Sequence, residues 1–265
     1  MWRSIKTCYY KNLDLTLFLI KKPKKNLNQD KDVLVEEISE LARSSWEEYE
    51  KEKIENIFLG LDHIILGRIE GELCFVTGGR WEPLYYRKNK VPVYRIGLTI
   101  VGKFNKKGEC LRRKGILSKG ISVLLGNVFL MRPFSSFYLT FRTLDPIIYK
   151  FAFKNLDYIL PDCQGYSRPN DKEKNIALQV SKNIDPACEF DQDKFVTKRA
   201  YRGNLRLAEK KLEELELFLD EEVKLFFEKN INYQQGDAFI ILAKVNLYSF
   251  LKYRFRKLFS KILKY

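Results

Sequence analysis

The sequence predicts an α/β protein, more narrowly α+β, built on a mixed sheet that starts as an antiparallel meander and continues through a parallel β-α-β crossover. Three observations lead there. The stretch "HIILGRIEGELCFVTGG" (63–79) alternates about Glu70-Gly71, as two antiparallel strands joined by a tight turn do. "VPVYRIGLTIVGKF" (91–104) is a further strand, with Tyr94, Ile96, Leu98 and Ile100 on one face. An apolar run of helical length, Gly115 to Met131, then separates it from another strand, "SSFYLTFRT" (135–143), whose Phe137, Leu139 and Phe141 share a face. A strand, helix and strand in that order form a right-handed crossover, which makes the two strands parallel neighbours.

Three parts are expected: a basic segment over 1–29, one domain over 30–245 and a basic tail over 246–265. The first holds an apolar run, Leu13 to Ile20, interrupted by Asp14. It is far short of the ~20 residues that span a bilayer and no small-residue cleavage site follows, so neither secretion nor a membrane span is expected. After "KKPKK", residues Asp30 to Ile57 place Leu34, Ile38, Leu41, Ser45 and Tyr49 three and four apart, an amphipathic helix. The meander and crossover follow, Arg132-Pro133 ending the crossover helix. "DPIIYKFAFKN" (145–155) is a short helix with Pro146 in its first turn, and 171–183 is another. Over 204–230, Leu205, Ala208, Leu212, Leu215, Leu219, Val223 and Phe226 predict a longer helix, which either packs on the core or forms a dimer seam. "GDAFIILAKV" (236–245) closes the domain as a strand.

A chain of 265 residues with 45% hydrophobic content can bury a large core. Its net charge of +14 is concentrated at the ends: residues 1–27 carry seven Lys/Arg against one acid, residues 238–265 seven against none, and the central 210 only +1. That distribution argues against a wholly basic nucleic-acid-binding domain and for ends that touch an anionic surface or partner. Aromatics interleave with cations in "YYRKNK" (85–90), but without a recognisable nucleic-acid motif this is the weakest reading. Five scattered cysteines with no C-x-x-C pair suit a reducing cytoplasm. The single histidine, His63, leaves a zinc site or a Ser-His or Cys-His hydrolase almost no material, so a structural His63 and no metal are expected.

The most informative stretch is "CLRRKGILSKGISVLL" (110–125). A helix N-terminus offers unpaired N–H groups and partial positive charge, so Arg112, Arg113, Lys114 and Gly115 before a helix suit a pyrophosphate. A basic turn before a core helix explains the same residues equally well.

The order of hairpin, long strand, "RRKGILSKG", apolar helix, strand and "T-x-D-P" resembles the GNAT acyltransferase superfamily, whose Q/R-x-x-G-x-G/A motif occupies this junction. Arg112 and Gly115 match its first and fourth positions, while Leu117 stands at the sixth. The resemblance covers residues 30–165. "YLTFRTLDPIIYKF" (138–151) is similar to an uncharacterised bacterial branch, as are "FDQDKFVTKRAYRG" (190–203) and "QQGDAFIILAKV" (234–245).

The resemblance implies acetyl-CoA or another acyl-CoA as co-substrate and an amine as acceptor. The backbone of Leu98, Thr99, Ile100 and Val101 would pair with the pantetheine arm. Arg112, Arg113, Lys114, Gly115, Ile116, Leu117 and Ser118 would hold the phosphates. Tyr149 is the implied acid and Glu82 the implied base. There are departures: seven residues after Asp145, where Tyr is expected, stands Ala152, and ten residues between Val101 and Arg112 exceed the usual short connection. Leu117 leaves open a catalytically inactive GNAT-shaped module attached to an anionic membrane or partner.

The tail "LYSFLKYRFRKLFSKILKY" (247–265) places Leu247, Leu251, Phe255, Leu258, Phe259 and Ile262 on one helical face and most of its cations elsewhere. It suits an anionic membrane surface, its own domain, or an acidic acyl-carrier protein. A cytoplasmic protein, peripheral to the inner membrane, is the expectation.

Overall fold

The computed structural model describes residues 6–27, 31–43, 51–102, 111, 114–132, 135–201, 220–249 and 251. They group into two compact units, the first from Met1–Trp81 and Ile96–Met131, the second chiefly from Glu82–Arg95, Arg132–Arg202 and Leu207–Tyr265.

In the first unit, β1 (Lys6–Tyr10) and β2 (Leu15–Lys21) form an antiparallel pair, followed by α1 (Pro23–Asn26), α2 (Lys31–Arg43) and α3 (Lys51–Leu59). Then come β3 (His63–Ile69), β4 (Glu72–Tyr86), β5 (Asn89–Val101) and α4 (Ile116–Leu130). Hydrogen bonding runs β1-β2-β3-β4-β5. Strands β4 and β5 are long enough to serve both units: Glu72–Trp81 and Ile96–Val101 belong to the first, Glu82–Tyr86 and Asn89–Arg95 to the second. The period of two along each strand decides what covers the sheet. Ile20, Ile64, Leu66, Val76 and Ile100 form one core with Leu34, Val35 and Ile38 of α2 and Ile54 and Phe58 of α3. On the opposite face Leu15, Leu17 and Phe75 surround Gly67, and Phe75 meets Gly120 of α4.

The expected hairpin is β3–β4, and its turn residues Glu70 (φ 51°) and Gly71 (φ 85°) both adopt the left-handed conformation a tight hairpin turn requires. The apolar run within the N-terminal segment, for which the sequence suggested no element, is β2; it pairs with β3 from Leu15↔Ile69 to Lys21↔His63. The helix expected over 30–57 is described as α2 and α3, with 44–50 outside the described residues.

The second unit continues with β6 (Phe137–Thr143), α5 (Pro146–Asn155), β7 (Ile159–Leu160) and α6 (Asp171–Ile184). After these come β8 (Phe190–Asp191), β9 (Val196–Thr197), α7 (Glu221–Asn230) and β10 (Ala238–Val245). Its order is β4-β5-β6-β10-β9-β8, with β7 also on β10. The sheet is mixed with one parallel pair, as the fold class requires. That pair is β5–β6: the registers at β10 are antiparallel, β4–β5 is a hairpin closed by Arg87 and Lys88, and the β5-to-β6 connection contains α4.

Leu84, Val91, Val93, Tyr138, Ile240 and Leu242 pack under Ile176, Ala177 and Val180 of α6. On the other face Tyr149 of α5 lies among Phe226 and Phe227 of α7 and Phe239 of β10, with ring centroids 5.4 to 6.3 Å away. One expectation is corrected: 204–230 is not one helix. Asp220 is extended (φ −70°, ψ 140°) and caps α7, and 204–219 lie outside the described residues.

Candidate functional site

The candidate site is the junction of β5 and α4 in the first unit. Its base is closed by packing. Gly102, just past β5, donates its N–H to Cys74 O at 2.8 Å, so pairing with β4 continues to the strand's end. A Cβ on Gly102 would lie 3.5 Å from Cδ1 of Leu111, which is fully buried. The chain therefore leaves β5 at Gly102 and is back beside it at Leu111, so the long connection still delivers α4 to the strand's end. Lys114 N–H then donates to Leu111 O at 3.1 Å, turning the backbone into the helix.

Gly115 is the N-cap of α4 with φ +69°, a conformation that costs any side chain with a Cβ. No side chain caps this end, and no acidic residue occupies its first turn. The N–H groups of Ile116, Leu117 and Ser118 thus carry the partial positive charge of a helix N-terminus, with no carboxylate in the first turn to offset it. Ile116 is buried and anchors the turn, while Gly115 is exposed and Lys114, Leu117 and Ser118 are half-buried. Lys119 adds a cation: its Nζ lies 3.5 Å from Lys114 O and 3.5 Å from where a Gly115 Cβ would stand. Sequence reading missed Lys119, although its i+4 spacing from Gly115 on a helix was the available signal.

Of the strand residues, Leu98, Thr99, Ile100 and Val101 all lie in the C-terminal half of β5. Ile100 is buried in the core shared with α2 and α3, and the Thr99 hydroxyl is 2.8 Å from that of Thr77 on β4. Arg112 and Arg113 lie outside the described residues.

The two side chains named for proton transfer belong to the second unit. Tyr149 is completely buried; its hydroxyl donates to Pro161 O at 2.8 Å and accepts from Cys163 N–H at 2.9 Å. Burial is the main reason its acidity is strongly suppressed, with the Cys163 side chain adding to it. With donor and acceptor both engaged by backbone and no exposed surface, the hydroxyl ties α5 to the loop after β7. Glu82 lies on β4, buried, ion-paired with Arg95 Nε of β5 and accepting from Asn183 Nδ2 at 3.4 Å.

His63 is buried at the start of β3, and burial lowers its pKa below the ordinary range, with Lys21 contributing in the same direction against Asp62. Among the described residues no group of His, Cys, Asp and Glu is arranged to hold a metal, and no helix is long and apolar enough to cross a membrane.

No family model matches the chain, and no curated protein matches it. Among solved structures it is similar to aminoglycoside 6'-acetyltransferase type Ii, at 20% identity over 56% of this chain and 89% of that one, with a TM-score of 0.34. It is also similar to a ribosomal-protein-alanine N-acetyltransferase from Brucella melitensis biovar Abortus 2308, at 15% identity over 46% of this chain and 75% of that one, TM-score 0.30. A third is Saccharomyces cerevisiae N-myristoyltransferase with bound myristoyl-CoA, at 15% identity over 74% of this chain and 52% of that one, TM-score 0.31.

Proposed function

We propose that this chain is a GNAT-type N-acyltransferase that moves an acyl group from acyl-CoA to an amine. The observation that carries the reading is the β5–α4 junction, where a left-handed glycine opens a 15-residue helix with no side-chain cap and no first-turn acid, beside the end of a parallel strand. A pyrophosphate suits that helix end, because N–H groups and the helix dipole favour an anion there. Lys114 and Lys119 supply the remaining positive charge. The polar backbone at the end of β5 suits the amides of a pantetheine arm.

Held this way, the thioester meets a bound amine as an intramolecular partner, and positioning supplies most of the rate. The amine nitrogen attacks the thioester carbonyl, the carbon–sulfur bond breaks, the nitrogen loses its proton and the thiolate takes one up. With the Tyr149 hydroxyl closed, those protons pass through water. Glu82 serves as base only by releasing Arg95.

The same two side chains favour a second reading, a GNAT-shaped module that binds its ligand without transfer. Calorimetric titration with CoA and acetyl-CoA, followed by thiol release with a panel of amines, separates the two. Binding with thiol release supports the enzyme, and binding alone supports the module. Absence of binding, or binding undiminished in a folded Gly115→Trp variant, overturns the phosphate cradle.

The basic tail is proposed to hold the protein against an anionic membrane from the cytoplasmic side, with an acidic acyl-carrier protein competing for the same cations. Leu247, Tyr248 and Leu251 at its start are exposed, and 252–265 lie outside the described residues.

A further inference from the structure

Among the described residues two buried side-chain atoms have no hydrogen-bond partner, Thr140 Oγ1 and Arg142 Nη1. They are close in the chain, two positions apart on β6, opposite Leu242 and Ile240 of β10. The period of two puts both on the face that carries Tyr138, which packs under α6. Buried polar groups without partners are uncommon because each forfeits the hydrogen bonds it made to water. Two on one strand face mark a place built for something to bind.

The surroundings specify what that is. Tyr138, one step back along the face, has its hydroxyl on Glu173. Arg95, also in this unit, already has its carboxylate in Glu82. Arg142 is held differently: its guanidinium lies 4.6 Å from the centre of the Tyr201 ring, and the Tyr201 hydroxyl donates to Arg142 O at 3.3 Å. The guanidinium is thus fixed in place while Nη1 stays unpaired. Asp185 is near enough for Arg142 to help lower its pKa, behind the larger effect of Cys188, yet Arg142 Nη1 makes no hydrogen bond to it. A guanidinium only donates, and a threonine hydroxyl on the same strand face can donate too, so the pair selects an oxygen anion over an amine. Arg142 as a residue is half-buried, although Nη1 itself is buried, and Thr140 is fully buried. Arg142 stands near the C-terminal end of a strand flanked by a parallel neighbour on one side and an antiparallel one on the other, the region of an open α/β sheet where ligands collect.

We infer that Thr140 and Arg142 form a receptor for a carboxylate within the second unit, so that the ligand class is an amino acid or another small carboxylate. The test uses matched probes on the full chain without CoA: glycine, β-alanine and phenylalanine against their amides, with inorganic phosphate as a further arm, by ligand-observed NMR and calorimetry. The acids bind and the amides do not. Arg142→Gln weakens the acids by about tenfold or more, the loss of one charge-assisted contact, while Arg168→Gln, at an exposed arginine, leaves them unchanged. Thr140→Val, close in shape, weakens the acids and raises the melting temperature, because it removes a buried hydroxyl that has no partner in the free protein. Equal binding of acids and amides, no binding of the acids, phosphate binding as tightly as the acids, or indifference to Arg142→Gln overturns the receptor. So does a Thr140→Val melting temperature below wild type, which means that an internal water already completes the site. If the acids bind selectively but no thiol is released from acetyl-CoA, the receptor stands and the acyl-transfer reading falls.

Discussion

Gly120 shows two effects of known size opposing one another at a single residue. Alanine is a better helix former than glycine by about 1 kcal/mol. Yet a Cβ at Gly120 would lie 2.0 Å and 2.3 Å from Cε1 and Cζ of the fully buried Phe75, and overpacking of that kind costs about 1–3 kcal/mol. Packing wins, so Gly120→Ala lowers the urea-unfolding free energy, and unchanged or increased stability shows that the ring swings aside. Tyr149→Phe leaves Pro161 O and Cys163 N–H buried without their partner, at a cost of about 1–3 kcal/mol. The same variant keeps its acyl-transfer rate per folded molecule; a loss beyond tenfold, about 1.4 kcal/mol, restores Tyr149 as the acid. His63 makes stability depend on pH. Its folded pKa lies below the ordinary 6.5, so as pH falls through that value the unfolded chain takes up a proton the folded protein refuses, and stability drops until the folded pKa is passed. Denaturant midpoints at about pH 7.5 and pH 5 should differ less in His63→Gln than in wild type; equal differences remove His63 from the account.

At the scale of elements, the strands and helices whose apolar residues repeat at two or at three and four were legible: β3, β5, α4, β6, α5, α6 and β10 stand close to where the sequence put them, while β4 runs on past the expected end at Gly79 to Tyr86. The failures have physical causes. Strand β2 is buried by alternation at Leu15, Leu17 and Leu19, but eight residues of mostly apolar sequence read equally as part of a basic end segment. Helix α7 starts only after the extended Asp220, inside the span 204–230 expected as one helix, and the Asp220 carboxylate is held by Lys150 and Lys154 of α5. No periodicity reveals an ion pair to another element. The start of α4 yields the prediction proper to this scale. Among the described residues a Cβ at Gly115 meets only Lys119 Nζ within 4 Å, so the cost of Gly115→Ala is chiefly the left-handed backbone, about 1–2 kcal/mol. CoA affinity should fall with it, and Gly115→Asn, which tolerates that conformation better, should recover much of the stability. Equal melting temperatures for all three proteins argue against the left-handed N-cap.

For the molecule as a whole, the positive charge of the sequence is concentrated in residues 1–27 and 238–265, and the tail sequence interleaves Leu, Phe and Ile with cations. The full chain should pellet with anionic vesicles and lose that on deletion of 247–265 or in high salt. Equal pelleting of both forms sinks the membrane role. The sequence by itself determined the mixed sheet, the crossover and the glycine that opens α4, because these follow from local spacing and from backbone conformations that particular residues permit. Only the tertiary structure decided that Leu111 closes onto Gly102, that the Tyr149 hydroxyl is spent on Pro161 and Cys163, that Glu82 belongs to Arg95, and that Thr140 Oγ1 and Arg142 Nη1 are left without a hydrogen-bond partner. Each of these is set by which strands pair, in what register and under which helix. Residue spacing constrains that choice without making it.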